Sequence, residues 1–175
     1  MITNTKNLIG ADVSGLGKNT RLPNEKRNHF EFDFERVERI VNKRESALPE
    51  VSEFLNKAKN EKEICEGLYV LDRMLEKGVK GVDKLYPVIS KFNDTDNPNI
   101  QVYLAGIYRK TQVPDAFGPL MKMMLKQTFF PTGKYFDPTE EIGGAILEYI
   151  RNTGAKELYE KTNPKETRTN PLNVV

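Results

Sequence analysis

Few side chains in this sequence have the types and spacing that chemistry requires. There is one histidine, His29, and one cysteine, Cys65. A zinc site draws three or four ligands from Cys, His and carboxylates, usually in closely spaced pairs, and neither residue has a companion of its kind. No histidine or basic cluster is placed by sequence to lower the pKa of Cys65, which argues against a nucleophilic thiol. A single cysteine also allows no intrachain disulfide, which fits a reducing, cytoplasmic setting. The acid pairs Glu61/Glu63 and Glu140/Glu141 could be imagined as catalytic couples. Each opens an expected helix, where acids favour the positive end of the helix dipole, and that role is sufficient. Gly10-Ala11-Asp12-Val13-Ser14-Gly15-Leu16-Gly17-Lys18-Asn19 has the look of a phosphate loop. Its glycine spacing is wrong, Asn19 stands where Ser or Thr should hold magnesium, and no strand leads into it. The expectation is a protein with no catalytic residue, no cofactor and no metal.

What remains is a set of aromatics suited to a binding surface. His29-Phe30-Glu31-Phe32-Asp33-Phe34 alternates with period two, which places three phenylalanines on one side of an extended stretch. Asp33 also suits the N-cap of a helix through Phe34, Val37, Ile40 and Val41. A second group lies in an expected loop over residues 127–136, broken by Pro131 and Gly133. Phe129, Phe130, Tyr135, Phe136, Phe30 and Phe32 are therefore the candidate partner-binding residues, since aromatics often anchor interfaces. The competing expectation is that both groups fold back and close the end of the helical stack.

The elements that must position these groups are helices. Ile64, Leu68, Leu71 and Leu75 share one helical face, and Gly78 and Gly81 bracket the turn that follows. Val82, Leu85, Ile89 and Phe92 predict a partner helix. After a polar break, Asp96 is the expected N-cap and Pro98 suits the first turn of a helix carrying Ile100, Tyr103, Leu104 and Ile107. Its partner carries Phe117, Leu120, Met121, Met124 and Leu125. Leu85-Tyr86-Pro87-Val88-Ile89 aligns with Phe117-Gly118-Pro119-Leu120-Met121 at an offset of 32 residues. A helix pair recurring at about 30–45 residues is the sign of an α-solenoid. Ile142, Ala145, Ile146, Tyr149 and Ile150 supply a weaker third copy, and residues 34–59 an irregular first pair.

Asp94-Thr95-Asp96-Asn97-Pro98-Asn99-Ile100-Gln101, Leu104-Ala105-Gly106-Ile107 and Phe117-Gly118-Pro119-Leu120 resemble HEAT-type repeats, over about residues 61–160. The family usually has a valine–arginine pair where this chain has Ile100-Gln101, and its arginine commonly ladders to an aspartate. The resemblance implies an all-α stack of antiparallel helix pairs acting as a binding scaffold.

Composition sets the remaining bounds. Charged residues make up 30% of the chain but nearly cancel to +2, so nothing pulls strongly toward nucleic acid or membrane. No apolar run reaches the ~18 residues of a membrane helix, and Met1–Asn7 does not read as a signal peptide. Residues 1–28, rich in Gly and Asn, read as a flexible or partner-bound tail, residues 29–160 as the HEAT-like domain, and residues 161–175 as a C-terminal tail. The expected function is a non-catalytic protein-binding scaffold or assembly subunit, with protein partners meeting the tails and the 127–136 loop. A nucleic-acid-binding helical repeat is the alternative, and an enzyme with a site invisible in sequence is a further one.

Overall fold

The computed structural model describes residues 10–129 and 135–162. These residues form helices and no strand; the only pairing of extended chain among them is two isolated bridges, Arg21 with Glu31 and Asn24 with Arg27. Helix α1 spans Phe34–Val41, α2 Leu48–Lys57, α3 Glu61–Glu76, α4 Tyr86–Ile89, α5 Pro98–Thr111, α6 Phe117–Phe129, α7 Thr139–Thr153 and α8 Ala155–Thr162.

Local chemistry explains most boundaries. Asp33 caps α1, its carboxylate accepting the Arg36 N–H, and Val37, Ile40 and Val41 face inward. Asn60 caps α3 in the same way, and the Glu63 carboxylate accepts the Lys59 N–H. The α3 stripe ends in a turn where Gly78 and Gly81 both take positive φ, as their placement predicts. Helix α5 is capped by Asn97, which accepts the Asn99 and Ile100 N–H groups, and not by Asp96. Asp96 points away and pairs with Lys126 of α6 at 2.8 Å. The helix predicted over residues 82–92 is broken into a 3-10 turn, the short α4 and a second 3-10 turn. Pro87 has no N–H to give to an i−4 carbonyl, so a continuous α ladder cannot form through it.

Helices α1, α3, α5 and α7 pack side by side in that order, the closest packing being α3 on α5 and α5 on α7. Helix α2 also packs on α3 and α4, and α6 on α7 and α8. Leu68, Leu71, Leu104, Ile107, Leu120 and Ile142 belong to one shared core and are all but inaccessible. Two tyrosines pack on rings of the preceding element. Tyr86 packs on Tyr108 of α5, and Phe117 on Tyr149 of α7, each with ring centroids 5.8 Å apart. Both tyrosine hydroxyls are satisfied, Tyr108 donating to Asn93 Oδ1 and Tyr149 to the Val113 carbonyl.

The tail expected over residues 1–28 is corrected for its described part. From residue 10 onward this segment belongs to the domain. Val13 and Leu16 lie in the core, Thr20 is buried, and Asp12 pairs with Arg39 of α1 at 2.9 Å. Gly17, at φ +82°, lies so close to Glu63 of α3 that a Cβ there would sit 2.8 Å from its side chain. Burial of two aliphatic side chains and a close backbone approach supply stabilisation that the Gly/Asn composition did not announce. At the other end α8 runs to Thr162; residues 163–175 of the expected C-terminal tail lie outside the described residues.

Candidate partner-binding surface

The site is built from one buried acid upward. Glu66 lies on α3 with its side chain fully buried. Its carboxylate accepts the Gly17 N–H and the Thr20 hydroxyl at 2.7 Å on one oxygen, and the Asp33 N–H at 3.2 Å on the other. These three bonds close residues 17–33 into a loop lying on the helices. A buried carboxylate is tolerated when donors surround it, and here the donors are neutral groups of a single segment. The glycine-rich stretch that looks like a phosphate loop contributes one of these donors, the Gly17 N–H, to the chain's own glutamate.

Between its ends the loop forms a hairpin. Arg21 and Glu31 exchange both backbone hydrogen bonds, and Asn24 and Arg27 close the tip. Arg27 braces it from within, donating to the Leu22 carbonyl at 2.6 Å and the His29 carbonyl at 3.2 Å. His29 itself is exposed at this tip. The alternation of residues 29–34 then does what period two predicts. Phe30 and Phe32 stack, 5.4 Å apart. Phe32 lies flat on Tyr69 of α3 at 4.5 Å, and Phe30 meets the edge of Tyr103 of α5 at 5.2 Å. Phe34, the third ring, is more than half exposed.

The second aromatic group joins the first. Phe136 packs on Phe30 at 5.6 Å, and the Tyr135 hydroxyl donates to Glu25 at 3.2 Å. The side chain of Phe129 and all of Phe130 lie outside the described residues. The loop expected over residues 127–136 begins later than predicted, because α6 continues through Phe129. Gln127 is held there by a buried bond to Gln101 Oε1 at 2.7 Å, while Gln101 Nε2 donates to the Thr95 carbonyl. Gln101 is thus a fully buried glutamine that ties α5 to α6.

Of the candidate residues, four (Phe30, Phe32, Tyr135 and Phe136) come together, and they do so across α3 and α5 and not over an end of the array. Sequence reasoning missed Glu66 and Tyr69. Tyr69 directly follows the striped Leu68 and packs at the margin of the core; a large aromatic at that position was the available signal. Burial pushes the hydroxyl pKa of Tyr103 well up, as expected for a ring roofed by Phe30 and Phe32.

Toward the C-terminal ends of the same helices the face becomes charged. Arg73 of α3 pairs with Glu38 of α1 at 3.0 Å and with Glu76. Lys110 of α5 reaches Asp72 at 2.6 Å, and Arg109 reaches Glu141 of α7 at 3.8 Å. Burial pushes the Asp72 carboxyl up from its usual range, against the pull of Lys110. These half-exposed pairs contribute about 0–1 kcal/mol each and chiefly fix register between helices.

The other residues with chemical potential have structural places. Cys65 is buried and burial pushes its thiol pKa up, away from thiolate chemistry. Glu61 accepts from Asn99 at 2.7 Å, joining α3 to α5. Among the described residues no three His, Cys, Asp or Glu side chains are grouped to hold a metal ion, and no helix is long and apolar enough to cross a membrane. No protein-family model matches the chain, and comparison with curated proteins and with solved structures gave no significant match.

Proposed function

We propose that this protein is a non-catalytic scaffold or assembly subunit, built as a HEAT-like α-solenoid, that binds protein partners on the face formed by α3, α5 and α7. The side-by-side order of α1, α3, α5 and α7, with the Tyr108 and Tyr149 contacts, supports the solenoid reading. The observation that carries the binding reading is the aromatic cluster on that face. Tyr69 and Tyr103 receive an extended stretch of polypeptide through ring contacts and a backbone bond to Glu66. A surface that accommodates extended chain in this way has the chemistry of a protein-binding face.

A nucleic-acid reading has less support. The cations of this face, Arg73, Lys110 and Arg109, each sit on a carboxylate, whereas tracking a phosphate backbone needs a stripe of available Lys and Arg. The test is affinity capture from the native source, followed by sizing of the complex, beside titration of mixed-sequence DNA and RNA at two salt concentrations. A stoichiometric protein partner is expected. Nucleic-acid affinity that falls by about 10³–10⁵ between 50 and 200 mM salt, without a protein partner, would replace this reading with the alternative.

A further inference from the structure

We draw no further inference here: the strongest candidate, the exposed apolar patch that Met121, Leu125, Leu147 and Ile150 make on the packed helices α6 and α7, is an unpartnered face, and nothing in the structure shows what covers it.

Discussion

Glu66 sits between Cys65 and Gly67 on the buried side of α3, where a helical stripe calls for an apolar side chain. Its worth can be measured by an isosteric change. Glu66→Gln keeps the shape but sets an amide NH₂ against groups that are themselves donors. The expected cost is about 1–3 kcal/mol, read as a lowered urea midpoint with unchanged slope. An unchanged midpoint would mean the loop closure contributes nothing. Leu104, fully buried on α5, should cost about 2–5 kcal/mol on replacement by alanine. Asp33 links the same region to pH. The Arg36 N–H, with help from Asn19 and the Arg36 charge, holds its carboxyl below the usual range. A depressed folded pKa stabilises the protein above the unfolded value of about 4 and loses that contribution as pH falls through the folded value. Asp33→Asn can still cap α1, so it should flatten only this acid limb in urea midpoints taken from pH 6 to pH 2. A limb as steep as before would assign the loss to other acids. Of these roles, the Asp33 cap and the apolar stripe that holds Leu104 were legible in the sequence, and that of Glu66 was not. A lone glutamate in a stripe is indistinguishable from a surface residue until its donors, 33 to 49 positions away, are placed beside it.

At the scale of elements, periodicity worked where a helix is amphipathic and fails where geometry is set from outside. Helix α5 announces itself through Pro98, Ile100, Leu104 and Ile107, and only its cap moves by one residue, to Asn97. The interior of residues 82–92 follows the predicted stripe, with Val82 and Ile89 buried, yet Pro87 breaks it into turns. The N-terminal segment was misread because Val13 and Leu16 are too few to make a stripe, and Gly17 is in place for a close approach that no local pattern records. That misreading has a measurable consequence. Removing residues 1–28 withdraws two buried aliphatics, about 1.5–3 kcal/mol each, and strips Glu66 of two donors, about 1–3 kcal/mol. The sum approaches the whole stability of about 5–15 kcal/mol that small proteins possess. The truncated chain should therefore show a much lowered or vanished cooperative melt by circular dichroism. Retention of the full thermal midpoint would return the segment to the status of a tail.

Across the described residues, cohesion runs between neighbouring helices: α3 on α5, α5 on α7, with charged pairs and two tyrosines joining them. The hairpin is the exception, since Tyr135 meets Glu25 across 110 positions of sequence. This separation bears on the order in which the protein can be made. Synthesis proceeds from the N-terminus, and the surfaces that receive residues 17–33 are supplied by Glu66, Tyr69, Tyr103 and Phe136. This segment leaves the ribosome ahead of the surfaces that receive it, and it must wait for about a hundred further residues. At the 5–20 residues per second typical of translation that is on the order of 5–20 s. Through this interval Phe30 and Phe32 are uncovered on a nascent chain, so chaperones and proteases meet this stretch before the fold does.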